Sequence, residues 1–397
     1  MKKVMIVAGE ASGDLHGANL VREVKHHDPS VSFYGLGSTR MREAGVHLIA
    51  DAAHISVVGA TEVLSDILAI YRIYATLKRL LKEERPDLLV LVDFPGFNIR
   101  LGAIAKKLGI PVVYYISPQV WASRKGRIKK IAKMVTAIIV VFPFEVDLYR
   151  DVGVDVRYVG HPLTDVVKSE YTQAEARSAL GLDPARRTIA LLPGSRRKEI
   201  VNLLPDMLGA SEILLKRFPD LQFLLPVAHT LEPDFVKGYL DRSKVPVRMI
   251  AGRGHDALRA SDTAIVTSGT ATLETGLMAV PMVIIYRVSG FSFFLARLVL
   301  RIPHVGLVNI VAGKGAVPEL LQGNVSPEKI ADALIPILSD SATYAGIRND
   351  LLALRAELGE GGASARAAAV ILEFLEGRNT SFLTRTSPAK AGLDSSL

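Results

Sequence analysis

Short apolar runs alternate with amphipathic stretches along most of the chain. Val4 to Ala8, Val31 to Gly35, Leu88 to Val92, Val112 to Ile116 and Ala137 to Val141 have the length and β-branched content of buried strands. Residues 14–27, 60–84, 98–108 and 119–133 between them have helical spacing. Arg157-Tyr158-Val159 reads as a last short strand, and Gly160-His161-Pro162-Leu163 breaks the rhythm. A second series follows, with strands expected at Thr188 to Leu192, Gln222 to Leu225, Val247 to Ile250, Thr263 to Val266 and Met282 to Ile285. Helices are expected at 198–217, 230–241, 254–260 and 270–279, then at 327–338, 341–357 and 362–376. This alternation predicts an α/β protein with two Rossmann-like domains, each a parallel sheet covered by helices on both faces. The hinge falls near 160–175, with a first domain over 1–165, a second over 166–360 and a polar, disordered tail from 378 to 397.

Ligands of such sheets bind outside the carboxyl ends of the strands, and with two domains the cleft between them is the default site. Residues that end strands are therefore the first to inspect. Asp93 ends the buried run Leu88–Val92, just before a turn at Pro95-Gly96. A carboxylate there could take a proton from a substrate hydroxyl. It could equally cap the following helix, as could Asn98.

Three loops join it. "VAGEASGDLHG" (7–17) carries Ser12, Gly13 and Asp14 where a strand turns into a helix. Its glycine spacing is neither a dinucleotide fingerprint nor a Walker loop, but small residues and a helix start suit an anion. The alternative is a tight turn with Ser12 or Asp14 as cap. "LLPGSRRKE" (191–199) brings Gly194, Ser195 and Arg196 to a helix start, where free N–H groups and a guanidinium would converge on a diphosphate. "TSGTATLETG" (267–276) offers Ser268, Gly269, Thr270 and Thr272, with Glu274 one turn on and on the side of Thr270. Hydroxyls could serve phosphate oxygens there, and a carboxylate could accept from ribose hydroxyls. Each loop could also be no more than a capped helix with surface side chains.

Composition narrows the picture only in part. The chain has 397 residues, too many for one ordinary core. Its 49% hydrophobic content is high, yet no uninterrupted apolar run reaches the ~18 residues of a membrane span. The short apolar start Val4–Ala8 is a strand rather than a signal peptide, which points to the cytoplasm. With no cysteine, disulfides and thiolate metal sites are excluded. The absence of Asp-x-Asp and of paired histidine spacings points away from a dedicated metal, and no cofactor is implied. The net charge of +8 suits an anionic substrate or surface; its basic residues cluster at Arg124–Lys130 and Arg196–Lys198.

"VAGEASGDLHG", "VDFPGFN", "YYISPQVWA", "YVGHPLTD", "LLPGSRRKEI" and "TSGTATLET" stand in the order found in lipid-A-disaccharide synthases, and the resemblance runs from about residue 4 to about 376. It implies a GT-B glycosyltransferase, with acceptor bound mainly by the first domain, the UDP-sugar by the second, and a C-terminal helix (361–377) crossing back to the first. The implied reaction joins UDP-2,3-diacylglucosamine to 2,3-diacylglucosamine 1-phosphate (lipid X). The products are the β-1',6-linked disaccharide phosphate of lipid A and UDP, with inversion. Asp93 matches the family's proposed base, Arg196 a residue associated with the donor diphosphate, Glu274 the ribose-binding carboxylate and Asn309 a position important for activity. Gly96 stands where some relatives carry a second Asp. Acylated substrates imply a peripheral contact with the inner face of the cytoplasmic membrane and no nucleic acid partner. For that contact the sequence offers Val63, Leu64, Ile67, Leu68 and Tyr71 within 60–84, an apolar face broader than a core stripe needs. A doubly buried core helix would look the same, and the aromatic segment 289–303 is a rival. Two other functions fit the fold: a UDP-N-acetylglucosamine 2-epimerase, and a basic membrane- or RNA-binding module.

Overall fold

The computed structural model describes residues 2–52, 63–118, 125–287 and 303–377, with the side chains of Ala11, 63–67 and Lys125 left out. The expected tail, all of Gln119–Ser123 and nearly all of 289–303 lie outside these residues.

Two all-parallel sheets organise the chain. The first has seven strands: β1 (Lys3–Ala8), β2 (Ser32–Gly37), β3 (His47–Asp51), β4 (Leu88–Val92), β5 (Val112–Tyr115), β6 (Ala137–Val140) and β7 (Asp155–Tyr158). Their order is β3-β2-β1-β4-β5-β6-β7. The second has six: β8 (Thr188–Leu192), β9 (Gln222–Val227), β10 (Val247–Ala251), β11 (Thr263–Thr267), β12 (Met282–Tyr286) and β13 (Glu319–Leu321), in the order β10-β9-β8-β11-β12-β13. Every residue of β4 is fully buried, as a strand covered on both faces must be. Each such side chain contributes about 1.5–3 kcal/mol.

Strand order reverses beside β1 in the first sheet and beside β8 in the second. At the first reversal Ala8 pairs with Val92, so Gly9 and Asp93 leave the sheet side by side. At the second Leu192 pairs with Val266, so the loop at Gly194 and the loop at Ser268 do the same. Parallel sheets open crevices at these points.

The last helix, Ala363–Leu375, packs on the first helix, Ala11–His27, and so returns to the first domain. Its N-terminus is held by Asp165, whose carboxylate accepts from the N–H groups of Gly362 (2.5 Å), Ala363 (3.2 Å) and Ser364 (2.9 Å). A negative charge at a helix N-terminus satisfies free donors and the dipole together. The link between the sheets is thus tied to the C-terminal helix.

Several elements differ from expectation. The first helix starts at Ala11, not near 14, with Glu10 at its cap and no side-chain capping bond, so neither Ser12 nor Asp14 caps it. Strands β3 and β13 were not expected. Both lie at sheet edges and are only half buried, so they lack the continuous apolar run of a central strand. In the helix Lys125–Met134, Ile128, Ile131 and Met134 are buried while Lys129, Lys130 and Lys133 face solvent. Of the described side chains in that basic cluster, Lys129 and Lys130 lie in solvent and Arg127 is half-buried.

Candidate active site

Asp93 follows the last residue of β4 and has φ +44°; Phe94 follows with φ +48°. Two consecutive non-glycine residues in the left-handed region cost about 1–3 kcal/mol each unless the surroundings enforce them. Here they do. Asn98, fully buried on the helix Pro95–Lys107, donates from Nδ2 to the carbonyls of Asp93 (2.7 Å) and Val92 (3.2 Å). The buried Tyr114 hydroxyl donates to the same Asp93 carbonyl at 2.5 Å. The ring of Phe94 lies over Gly9, where a Cβ would come within 2.3 Å of it. The backbone of Asp93 is therefore pinned from below while its carboxyl stays half-buried at the rim. Burial, and then the charge of Glu10, push that carboxyl up to about 6, against a hydrogen bond from the Phe94 N–H. The helix after Asp93 has no side-chain cap, so capping is not its role.

Two residues expected at the cleft are supports instead. Asn98 is committed to backbone carbonyls. Asp14 is buried, and its carboxylate accepts from the N–H groups of Ser38 (2.6 Å), Arg40 (3.1 Å) and Met41 (3.2 Å), capping the short helix Thr39–Glu43. Gly13 is buried against Ala8 and Val92, and Ser12 is half-buried. His16, two residues beyond Asp14, was not singled out by its sequence. It is buried with its Nδ1 unpaired among the described residues, and burial lowers it to about 4. Among charges the carboxylate of Glu274 acts on it most strongly, so the second domain faces the first at this point.

Across the cleft, the loop after β8 is built differently from expectation. The N–H groups of Ser195 (2.8 Å) and Arg196 (3.1 Å) donate to Glu199 Oε2, and the Arg196 guanidinium reaches Glu199 Oε1 at 3.2 Å. The two N–H groups are not open to a diphosphate, because Glu199 occupies them as the third residue of the helix Arg197–Arg217. The spacing Arg196-x-x-Glu199 carries this capping signal in the sequence. Gly194, at φ +114°, has no Cβ; one there would meet Glu199 Oε2 at 2.1 Å. Arg196 is 76% exposed and projects from the loop. Arg197 instead stacks on Phe235 at 3.8 Å and pairs with Glu232.

The loop after β11 leaves Gly269 exposed, with Ser268 and Thr270 half-exposed. Ser268 Oγ donates to the Val305 carbonyl at 3.1 Å. Thr272 is fully buried and bonds the Gly269 carbonyl at 2.8 Å, so it shapes the turn and offers nothing to a ligand. Glu274, 31% exposed, lies 3.5 Å from His255 Nε2. His255 was also missed, although it stands in the first turn of the helix Gly254–Ala260 that follows β10. Asn309 is fully buried in the second domain. Its Nδ2 donates to the Val317 carbonyl and to Glu319 Oε1 (both 2.8 Å), and its Oδ1 accepts from the Val317 N–H at 3.0 Å. Glu319 in turn holds the N–H groups of Val305 and Gly306, so Asn309 sets the loop on which Ser268 rests.

Of the apolar face expected on the helix Val63–Glu83, Leu68 is 52% and Tyr71 68% exposed; the side chains of Val63, Leu64 and Ile67 lie outside the described residues. No helix among the described residues is long and apolar enough to cross a membrane.

Solved structures with this architecture include S. aureus MnaA with UDP, with TM-score 0.65 and 13% identity over 95% of this chain and 97% of that one. The UDP-GlcNAc 2-epimerase of Neisseria meningitidis bound to UDP-GlcNAc gives 0.61 and 12% over 94% and 100%, and the calicheamicin glycosyltransferase 0.61 and 15% over 96% and 99%. At such identities the likeness shows the fold alone, and it does not favour the epimerase alternative. Sequence relatives separate the two. The lipid-A-disaccharide synthase of Trichlorobacter lovleyi is 47% identical over 94% of this chain and 98% of its own length. That of Syntrophus aciditrophicus is 48% identical over 94% and 98%. The family profile for lipid-A-disaccharide synthetase matches residues 4–374. With the GT-B architecture in place and the match running through both domains, the chain belongs to the lipid-A-disaccharide synthase family of glycosyltransferases.

Proposed function

We propose that the protein transfers the 2,3-diacylglucosaminyl group of UDP-2,3-diacylglucosamine to the 6-hydroxyl of 2,3-diacylglucosamine 1-phosphate, with Asp93 as the base. The hydroxyl oxygen attacks the anomeric carbon as the bond to UDP breaks, and the proton passes to Asp93. A single displacement inverts the centre and needs one base and no protein nucleophile. The observation that carries this reading is the Asp93 carboxyl itself. It is held at a strand end by a strained, fully tied backbone and is pushed up to about 6. A base with its proton affinity near working pH is both ionised and basic enough to act. Arg196, exposed on the second domain, is the side chain that reaches for the donor diphosphate, and Glu274 takes the ribose. The first domain supplies the acceptor site, and Leu68 and Tyr71 meet the surface of the inner membrane that holds the acyl chains.

The test is an assay with both acylated glucosamine substrates, read by mass spectrometry, on Asp93→Ala. Disaccharide formation should vanish while UDP titrates with nearly unchanged affinity. Near-normal turnover would end the assignment of Asp93.

A further inference from the structure

We propose that His255 is a positioning residue for nucleotide recognition: its Nε2–H holds one oxygen of the Glu274 carboxylate and so aims the other at the ribose hydroxyls of the donor. This rests on the reading of Glu274 as the ribose-binding carboxylate.

Both side chains rise from rigid seats. Arg253, at the cap of the helix Gly254–Ala260, is fixed by Asp256 Oδ2 (2.9 Å), by the Ala179 carbonyl (3.1 Å) and by the ring of Tyr171. Asp256 is fixed further by the hydroxyl of Ser169 at 2.8 Å. On the other side, Thr272 and Thr275 lock the helix Thr270–Leu277 through the Gly269 and Ala271 carbonyls. Between these seats Nε2 and Oε2 stand 3.5 Å apart, each side chain 31% exposed. Among the described residues the Glu274 carboxylate makes no hydrogen bond, and His255 is the one basic side chain within 4 Å of it. A pair this exposed adds little to stability. A carboxylate has about four acceptor positions, and an imidazole N–H turned toward it would take one of them. The others stay open at the carboxyl end of the sheet, on the side that faces His16 of the first domain. An unguided Glu samples several rotamers; one held by His255 does not, and a vicinal diol needs its acceptor held in place.

Titration calorimetry of the full chain with UDP and with 2'-deoxy-UDP tests this without the lipid substrates. Glu274→Ala should erase the preference for UDP over the deoxy compound. His255→Ala should weaken UDP by about tenfold and narrow the preference by a similar factor. His255→Gln, which keeps an N–H donor, should restore most of it. The double variant should bind no more weakly than Glu274→Ala alone, because His255 acts through Glu274. In turnover the donor KM should rise with kcat within about twofold. If Glu274→Ala leaves the preference intact, the ribose reading of Glu274 fails and this inference with it. If Glu274→Ala erases the preference and His255→Ala leaves it, the inference about His255 alone is overturned. An additive loss in the double variant overturns it as well, since His255 would then touch the nucleotide itself.

Discussion

The two crevices where strand order reverses are built from the same topology and finished in opposite ways. At the first, the turn after β4 runs through two non-glycine residues with positive φ, Asp93 and Phe94. At the second, the positive-φ positions are glycines, Gly194 and Gly269. The first uses buried side chains, Asn98 and Tyr114, to hold the Asp93 backbone, and leaves a carboxyl in a poor environment for charge. The second satisfies its loop with the carboxylate of Glu199 and leaves Arg196 and Glu274 accessible. Strain and desolvation gather on one side, where a proton would have to move; relaxed backbone and reachable side chains mark the side that would hold a nucleotide. On the proposed function, two Rossmann-like halves would divide proton transfer from nucleotide binding through loop chemistry, not through the sheet.

The largest effect should come from removing the charge that the first crevice destabilises. Asp93→Asn should lower kcat on the order of 10³-fold with UDP affinity unchanged. In the unaltered protein the rate should fall about tenfold per pH unit below about 6, because only the ionised carboxylate accepts a proton. The sign for stability is the reverse of the usual carboxylate case. The folded group is raised, so the unfolded chain gives up its proton first, and stability falls as pH rises from about 4 to about 6. Denaturant unfolding should show Asp93→Asn equal to the parent below that window and more stable above it, by up to about 3 kcal/mol. A variant less stable at neutral pH would mean that the carboxylate is welcome in its site, and the contrast between the crevices would collapse.

Next in size is Asn98→Ala. It leaves the carbonyls of Val92 and Asp93 without their shared donor, at a cost of about 1–3 kcal/mol, and frees a backbone that resists its own φ. We expect kcat down about ten- to a hundredfold with donor KM nearly unchanged. A KM effect without a kcat effect would move Asn98 from support of the base to the substrate surface.

Much of this contrast was open to a reader of the sequence, and the unreadable part has a definite character. Parallel strands buried on both faces announce themselves as apolar runs, so the central strands were legible, and strand ends pointed to Asp93, Arg196 and Glu274. The half-buried edges β3 and β13 were not legible, because β3 pairs on one side only and β13 is three residues long. Polar residues next to a strand end were over-read as ligand contacts. Asp14, Asn98 and Thr272 look like site chemistry in sequence, yet each spends its hydrogen bonds on backbone. Exposure decides between the two uses, and exposure of a polar side chain is not periodic. The positive φ of Asp93 and Phe94 left no mark either, since glycine would normally signal it.

On the second crevice the sharper test compares neighbours. Arg196→Ala should raise the donor KM about tenfold, since this guanidinium is exposed and, among the described residues, paired only with Glu199 of its own turn. Arg197→Ala should change it less than twofold, because Arg197 already rests on Phe235 and Glu232. The reverse order would show that binding rearranges the loop and releases Glu199 from the N–H groups of Ser195 and Arg196.

The smallest effect concerns the lipid side of the first domain. Leu68 and Tyr71 lie exposed on the helix Val63–Glu83, whereas Leu77 and Leu81 farther along it are buried in the core. One helix therefore serves packing at its end and solvent nearer its start. Only part of each exposed side chain would enter a headgroup region, so each should contribute well under the ~1.5–3 kcal/mol of full burial. Leu68→Ser and Tyr71→Ser should each weaken co-sedimentation with anionic vesicles by a few fold, leave the unfolding midpoint unchanged, and leave UDP binding intact. Unchanged sedimentation in the double variant would shift the membrane contact to another surface, while a lowered unfolding midpoint would show these two side chains to be part of the core after all.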